Sequence, residues 1–349
     1  MKIAIHHRLG SYSEKWIEYC KTNNIPYKLV DCYQSDIIQQ MEDCDGLMWH
    51  YNQNDYKGFL CARQITRSLE LAGKKVFPDC NTSWHFDDKV GQKYLLEAIK
   101  APLVPSYIFY DKKEALKWCE TTTFPKVFKL RGGAGSENVK LVKTKSCGKK
   151  LVRRAFGSGF ALLDRADLFK ESLWRVKRDR TFSSVTALIK SIGRIFVPTE
   201  LERFLGKNKG YIYFQDFIPD NHFDTRVYVM GNAAFGLKRL VRSNDFRASG
   251  SGLIEFEKEK INIECVKLAF DISKKLNSQS LAFDFISHEN QILLIEISYA
   301  SVQKTYLKCP GYWDKQLNWH DGTFKIEHIM IANFLEQLNE YQKSVLQQN

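Results

Sequence analysis

The first 80 residues alternate short apolar runs with stretches of helical periodicity. The apolar runs cover residues 2–6, 27–31, 46–50 and 75–77, and the helical patterns lie near 12–22, 34–43 and 55–72. Strands that alternate with helices at this spacing are typical of a parallel, doubly wound sheet. We therefore predict a Rossmann-like α/β domain over residues 1–85. It lacks the glycine fingerprint of dinucleotide-binding domains.

The pattern changes after residue 86. A helix (87–100), a strand (106–110) and a helix (112–120) precede two strands, 124–129 and 138–142, that flank a glycine-rich turn. Further strands follow at 211–218 and in a hairpin at 225–230 and 233–240, with amphipathic helices at 256–276 and 324–338. We predict one lobe over residues 86–210, whose segment 150–210 is hard to assign, and a second over 211–349.

Two acidic residues interrupt the apolar pattern near the end of the chain. Asp284 and Glu296 lie in two strand-like runs, 281–286 and 291–298, joined by a polar turn. A carboxylate among Ile, Leu and Phe is costly unless it is paired or binds a metal. Two carboxylates on neighbouring strands suit a hard cation, and Mg²⁺ shared with substrate phosphates is the best fit.

A candidate phosphate site lies further upstream. Lys129 ends a strand and is followed by a turn that contains Gly132, Gly133, Gly135 and Ser136. Glycines allow backbone N–H groups to approach phosphate oxygens, and the lysine adds a positive charge. An ordinary hairpin lysine is the alternative. With the later carboxylates, the pattern indicates an enzyme that uses ATP.

The order of these motifs resembles the ATP-grasp superfamily, in particular carboxylate–amine ligases with a glutathione synthetase-like ATP-binding fold. The resemblance runs from about residue 86 to residue 298. It implies a two-lobed ATP-grasp domain behind the N-terminal α/β domain, with the nucleotide between the lobes. It also implies ATP and Mg²⁺ as cofactors.

The resemblance further implies roles for individual residues. Lys89, Lys129 and the glycine turn would bind phosphate, and the segment Gln215, Asp216, Phe217 and Ile218 would recognise adenine. Asp224 would bind the ribose or position a neighbouring side chain, and Arg226, Arg239 and Arg247 would stabilise the phosphoryl group and the acyl phosphate. Asp284, Glu296 and Ser298 would bind the metal. For Lys89 a surface position, for the adenine segment a plain strand, and for the arginines structural ion pairing are the alternatives.

One residue departs from the family pattern. The family commonly has Glu-x-Asn where this chain has Glu296-Ile-Ser298. This departure leaves three alternatives. Ser298 ligates the metal directly, a water molecule replaces the missing ligand, or one of two metal sites is weakened. The departure falls on the metal site and not on the nucleotide-binding motifs.

The activity that the resemblance implies is ADP-forming ligation of a carboxylate to an amine through an acyl phosphate, an EC 6.3-type reaction. The carboxylate would be a small molecule or linked to a nucleotide or lipid, as in amino-acid decoration of a sugar acid during surface polysaccharide synthesis. An ATP-grasp kinase and a catalytically weakened nucleotide-binding protein are the alternatives.

Composition narrows the choice of partners. Of the net charge of +12, much lies in residues 148–210, which hold fifteen Lys or Arg against six Asp or Glu. This favours an anionic partner or a solvated helix face, but no nucleic-acid-binding motif accompanies it. No apolar run reaches the roughly 18 residues of a membrane helix, and the N-terminus does not look like a signal peptide. Nine scattered cysteines indicate reduced thiols. We expect a cytoplasmic protein, with a homodimer left open.

Overall fold

A computed structural model of the chain describes residues 1–52, 55–133, 138–162, 200–242 and 245–346, together with residues 173, 176, 181, 186, 188, 189 and 193. The chain forms two compact units. The first unit comprises Met1–Phe86, Leu96–Pro102 and Asn221–Asn349, and the second comprises Asp87–Leu95 and Leu103–Asp220. The domain boundaries drawn at residues 85 and 210 stay a prediction.

The first unit begins with a parallel sheet. Its strands are β1 (Ile3–His6), β2 (Tyr27–Val30), β3 (Gly46–Trp49) and β4 (Lys75–Phe77), in the order β2-β1-β3-β4 with every neighbouring pair parallel. The connecting helices are α1 (Ser13–Thr22), α2 (Ile37–Gln40), α3 (Tyr56–Leu71) and α4 (Cys80–Ser83). The predicted parallel α/β arrangement is confirmed.

The second unit is built on an antiparallel sheet. Its elements are α5 (Lys89–Ala98, whose end belongs to the first unit), β5 (Ser106–Phe109), α6 (Lys112–Thr121), β6 (Lys126–Lys129), β7 (Lys140–Val142), α7 (Lys145–Ala155), β8 (Phe160–Ala161), α8 (Glu200–Leu205), β9 (Lys207–Asn208) and β10 (Ile212–Asp216). The sheet order is β5-β10-β6-β7, and β8 pairs with β9. Phe128 and Phe214 on one face join Val152 of α7 and Cys119 of α6 in a buried core. The strand–turn–strand predicted around the glycines is confirmed, since β6 and β7 pair antiparallel.

A second, antiparallel sheet belongs to the first unit. Its strands are β11 (Phe223–Met230), β12 (Ala233–Leu240), β13 (Ile254–Glu255), β14 (Ser280–His288), β15 (Gln291–Ser298), β16 (Gly311–Trp313) and β17 (Trp319–Asp321), and its helices are α9 (Ile263–Leu276), α10 (Gln303–Tyr306) and α11 (Ile326–Leu346). The strands follow the path β15-β14-β11-β12-β16-β17, with β13 beside β12. The predicted hairpin turn holds Gly231 at a φ of +55°, a backbone conformation that favours glycine.

Two elements of this sheet region differ from the sequence prediction. Helix α9 begins at Ile263 rather than at residue 256 because the Asn262 side chain accepts the Glu264 N–H at 3.0 Å and so caps the helix. A 3₁₀ turn at Lys258–Lys260 precedes it. The hairpin of β16 and β17 was not predicted, since strands of three residues carry too little periodicity.

The core of the first unit joins its two sheets. Ile3 and Ile5 of β1, Tyr228 of β11 and Phe235 of β12 belong to one buried cluster, which also contains Phe334 of α11. All nine cysteines are free thiols, as expected. Among the helices that the structure describes, none combines the length and the hydrophobicity needed to cross a bilayer.

Candidate active site

Five charged side chains of the first unit share one face of the antiparallel sheet. In the ladder, Arg226 of β11 lies opposite Asp284 of β14, and Asp224 of β11 lies opposite Arg239 of β12. Glu296 of β15 lies opposite Asp284 on its other side. Residues directly opposite each other, and residues two apart on one strand, share a face of a sheet. The strand register therefore gathers all five residues.

The hydrogen bonds of this cluster are bidentate. Arg226 donates to the two carboxylate oxygens of Asp284 at 2.6 and 2.7 Å. Arg239 donates to both oxygens of Asp224 at 2.6 Å, and its Nη2 also lies 2.9 Å from Oδ2 of Asp284. Charge-assisted pairs of this geometry fix both partners. The two guanidinium groups are thus held in place by carboxylates.

Because the cluster is buried, its charged groups must be paired with one another to be stable. Asp224, Arg239 and Asp284 are only 5–7% exposed. Burial alone raises the pKa of Asp284, but the charges of Arg226 and Arg239 outweigh it and hold that pKa well below its usual range. Asp284 is therefore a carboxylate at neutral pH, and removing either arginine would leave a buried charge without compensation.

The cluster meets the requirements of a Mg²⁺ site only in part. Counted formally, its three carboxylates and two guanidinium groups leave one negative charge, while burial raises the pKa of Asp224. Asp284 Oδ2 accepts from both arginines, whereas among the described residues Oδ1 accepts from Arg226 alone and keeps a lone pair. Among the described residues, no group of three His, Cys, Asp or Glu side chains lies close enough together to hold a metal with protein ligands alone. The donors fit a cation that completes its shell with phosphate oxygens and water.

Ser298 and Arg247 occupy different surroundings. Ser298 shares the face of Glu296, two residues away on β15, and its hydroxyl donates to the Ala300 carbonyl at 2.9 Å. Arg247 pairs with Asp245, its Nη2 lying 2.7 Å from Oδ2. The structure thus brings Asp224, Arg226 and Arg239 together with the predicted metal carboxylates. It gives Arg247 a carboxylate partner of its own.

In the second unit, Lys129 lies on the face of the sheet opposite the Phe128 core. Its Nζ donates to Gln215 Oε1 at 2.6 Å, and Gln215 Nε2 donates to Ser106 Oγ at 3.1 Å. Lys129 is 6% exposed and Gln215 is 3% exposed. The chain of three side chains orients the ammonium group. Gln215, predicted to contact adenine, therefore holds Lys129 instead of projecting a free amide.

The start of the glycine turn is fixed by the residues before α5. Lys89 Nζ donates to the Gly133 carbonyl at 2.7 Å, and Asp87 accepts the Gly133 N–H at 2.8 Å. A Cβ on Gly132 would lie 3.0 Å from an Asp87 carboxylate oxygen, so this position has little room for a side chain. The structure brings Lys89, Gly132 and Gly133 together. Gly135 and Ser136 lie outside the described residues.

The remaining predicted adenine residues follow β10. Asp216 accepts from Lys126 Nζ at 2.5 Å on the sheet face opposite Lys129. Phe217 and Ile218 continue the chain beyond the strand and are half-buried. A side-chain role for Asp216 toward a nucleotide would compete with its ion pair to Lys126.

Sequence reasoning missed a network of aromatic hydroxyls behind Ser298. Tyr228 donates to the Tyr299 carbonyl at 3.0 Å, and Tyr12 donates to the Ser301 carbonyl at 2.5 Å. Tyr299 donates in turn to the Tyr51 carbonyl. The segment after β15 is thereby fixed by Tyr12 before α1, Tyr51 after β3 and Tyr228 of β11, which are far apart in sequence. No local pattern could have revealed contacts between such distant positions.

The half-buried His50 beside this network predicts a pH dependence of stability. His50 stacks on Tyr12 with ring centroids 3.7 Å apart. Burial, helped by the charge of Arg8, lowers the pKa of His50 to about 3. The folded protein keeps His50 neutral, whereas the unfolded chain binds its proton below about pH 6.5. This contribution to stability is complete above that pH and is lost as the pH falls toward 3.

We therefore expect the free energy of unfolding of the parent to decrease more steeply than that of His50→Gln as the pH is lowered. Between pH 6 and 4 the difference in slope should approach about 1.4 kcal/mol per pH unit. Urea denaturation at a series of pH values measures it. Parallel profiles would show that His50 does not titrate on unfolding.

Comparison with known proteins agrees with this architecture. Residues 197–310 match the family model described as the RimK-like ATP-grasp domain. A search of curated protein sequences gave no match. Several solved structures are similar over nearly the whole chain.

A RimK domain protein ATP-grasp from Sphaerobacter thermophilus DSM 20745 is 13% identical, with 96% of this chain and 99% of that chain covered and a TM-score of 0.55. The D-alanine–D-alanine ligase from Bacillus anthracis, complexed with ATP, is 13% identical, with 97% and 98% covered and a TM-score of 0.56. The ATP-grasp ligase PsnB, complexed with minimal precursor, Mg and ADP, is 12% identical, with 95% and 98% covered and a TM-score of 0.53.

Such low identities establish the fold and not the activity. The chain therefore has the ATP-grasp fold, with a match to the RimK-like ATP-grasp domain over residues 197–310, and its resemblance to the ATP-grasp superfamily is confirmed.

Proposed function

We propose that this protein is an ATP-dependent, ADP-forming ligase that joins a carboxylate to an amine through an acyl phosphate. The observation that carries the proposal is the cluster of Asp224, Arg226, Arg239 and Asp284 beside Glu296. It presents two fixed guanidinium groups next to acidic oxygens. Transfer of a phosphoryl group needs such positioning and positive charge more than it needs a nucleophilic side chain.

The proposed nucleotide contacts lie in the second unit. We assign phosphate binding to Lys129, Lys89 and the glycine turn, and adenine binding to the segment 215–218. Because the Gln215 amide is bonded to Lys129 and Ser106, the adenine contacts fall to Phe217, Ile218 and their backbone. Two fold relatives are described as complexed with ATP, or with Mg and ADP, which supports nucleotide binding by this chain.

Each residue of the cluster has a proposed task. Arg226 and Arg239 would neutralise the phosphoryl group as it passes to the substrate carboxylate, because a guanidinium stays charged even where it is buried beside carboxylates. Asp224 positions Arg239. Asp284 Oδ1, Glu296 and Ser298 would hold Mg²⁺ together with the phosphates of ATP. The metal supplies charge stabilisation and a template for the reacting groups. Arg247 would assist at the tetrahedral stage of amine attack.

A carboxylate needs this activation because it will not acylate an amine at neutral pH. Phosphorylation replaces an oxide leaving group by phosphate, and attack of the amine then releases it. The substrates are proposed by class only, a carboxylate and an amine; decoration of a sugar acid is a finer hypothesis within that class.

A catalytically weakened nucleotide-binding protein is the second candidate. It is favoured by one observation, namely that the Ser298 hydroxyl donates to the Ala300 carbonyl. Its remaining lone pairs could still face a metal, but the side chain is shorter than the asparagine that the family commonly carries. Nucleotide binding without turnover would distinguish this candidate from the ligase.

Mg-ATP is expected to stabilise the purified protein in a thermal-shift titration, whereas NAD and GTP at equal concentration should do so much less. A ligand at 100 times its Kd adds about 2.7 kcal/mol to the free energy of unfolding. The midpoint should rise steadily with Mg-ATP concentration. An unchanged midpoint at millimolar Mg-ATP would count against the proposed function.

A further inference from the structure

Arg8 lies in the loop between β1 and α1, and no carboxylate among the described residues pairs with its charge. The backbone of this loop is well bonded, since the Arg8 N–H donates to Ser13 Oγ at 3.1 Å and the Arg8 carbonyl accepts the Ser11 N–H at 3.2 Å. The side chain is half-buried. Within the described part of the chain, its guanidinium group has no carboxylate or hydrogen-bond partner. A half-buried charge without a partner is costly and suggests a missing anion.

The acidic and basic neighbours on the same loop and helix are already engaged. Glu14 accepts the Gly10 N–H at 3.2 Å, and Lys15 pairs with Glu18 at 2.5 Å. Arg8 therefore offers one net positive charge in a fork geometry. One guanidinium group matches the charge and shape of one carboxylate, whereas a phosphate dianion would require a second cation.

Arg8 also lies where ligands bind in sheets of this kind. The strand order β2-β1-β3-β4 places the topological switch point between β1 and β3, because β2 is added on one side of β1 and β3 on the other. In open parallel sheets, the crevice at the carboxyl ends of the strands on either side of such a switch is the usual ligand site. The loop after β1 carries Arg8 and Tyr12, and the residue after β3 is His50, whose ring stacks on Tyr12.

A continuous path of contacts links this crevice to the charged cluster. Tyr12 lies on the same loop as Arg8 and stacks on His50. Tyr12 donates to the Ser301 carbonyl, and Ser301 Oγ donates to Tyr306 at 3.1 Å. The Tyr306 ring lies 5.0 Å from the ring of Tyr228, which follows Arg226 by two residues on β11. All of these residues belong to the first unit. Arg8 is thus separated from the proposed reaction centre by a short series of side chains.

We propose that Arg8 binds a second carboxylate of the substrate, one that is not activated. This inference rests on the proposed function, which places the reacting carboxylate at Arg226 and Arg239. The substrate class is then a molecule with two carboxylates, or an amino acid whose free carboxylate is held away from the reacting centre. Arg8 would select for that anion and orient the molecule that carries it.

The test uses thermal-shift titrations of the full-length protein with glutarate and with its neutral diamide, at constant ionic strength. The variants are Arg8→Gln and, as a matched control, Arg67→Gln, which removes an exposed arginine that pairs with Glu70 at 3.2 Å on α3. Glutarate should stabilise the parent and Arg67→Gln in a saturable way, and the diamide should not. Arg8→Gln should bind glutarate about tenfold more weakly or worse, as expected for loss of a bond between charged groups.

The outcomes separate this inference from the proposed function. Equal binding of glutarate by the parent and Arg8→Gln, or no preference of the parent for glutarate over the diamide, overturns the role of Arg8. Mg-ATP is titrated in parallel. If Mg-ATP fails to stabilise the parent while glutarate binds through Arg8, the ligase proposal fails and the anion site stands.

Discussion

Lys129→Met is expected to lower turnover by about 10²–10³-fold in a protein that remains folded. Methionine has nearly the shape of the lysine stem but lacks the ammonium group that donates to Gln215 at 2.6 Å. The lost charge is the one proposed to face the phosphates of ATP. Steady-state phosphate release and the thermal midpoint measure the two effects separately.

Lys143→Met serves as the control for this variant. Lys143 is exposed and follows β7, so its loss should change neither turnover nor the midpoint appreciably. Parent-like turnover of Lys129→Met would mean that the phosphate site is misplaced. Arg239→Ala is a poorer test, because removing a buried partner of Asp224 and Asp284 is expected to cost about 3–5 kcal/mol of stability.

Glu296→Gln is expected to reduce turnover by about 10³-fold or more, because the proposed Mg²⁺ site loses a charged ligand. Ser298→Asn should retain activity and lower the Mg²⁺ concentration needed for half-maximal rate, since a longer amide oxygen replaces the serine hydroxyl. Rates measured against Mg²⁺ concentration for the parent and both variants test these expectations.

Glu289→Gln is the matched control. Its side chain is 84% exposed in the turn between β14 and β15, so it changes the same charge outside the cluster. It should behave as the parent does. If Glu296→Gln also retains full turnover, Asp284 and Glu296 stabilise the sheet and do not bind a metal. A higher Mg²⁺ requirement in Ser298→Asn would instead show that the longer side chain collides with the segment after Ser298.

Elements with strong periodicity could be predicted from the sequence. The strands β1 to β4 and the hairpin of β11 and β12 were found within a residue or two of their bounds, because apolar runs and a Gly-Asn turn are local signals. The short strands β16 and β17 and the start of α9 were not. The first lack periodicity, and the second depends on a cap that interrupts a continuous amphipathic pattern.

The residues proposed for the site were chosen from the sequence, but their pairings could not be. The sequence points to Asp284 as an expensive buried carboxylate, and the structure agrees that it is buried and charged. Its bidentate bond to Arg226 follows from a strand register that no local pattern shows. Arg8 was missed because nothing in the sequence distinguishes an isolated arginine in a loop. Only the structure shows that no carboxylate among the described residues pairs with it.

The central claim, that ATP is used to activate a carboxylate for attack by an amine, is tested most directly by following oxygen. The protein is incubated with Mg-ATP, ¹⁸O-labelled carboxylates from a panel that includes dicarboxylates, and a panel of amines, and the products are identified by mass spectrometry and ³¹P NMR. We predict ADP, an amide, and inorganic phosphate that carries one ¹⁸O from the carboxylate. A phosphoester product, AMP with pyrophosphate, or binding of Mg-ATP without turnover of any acid–amine pair would contradict the claim.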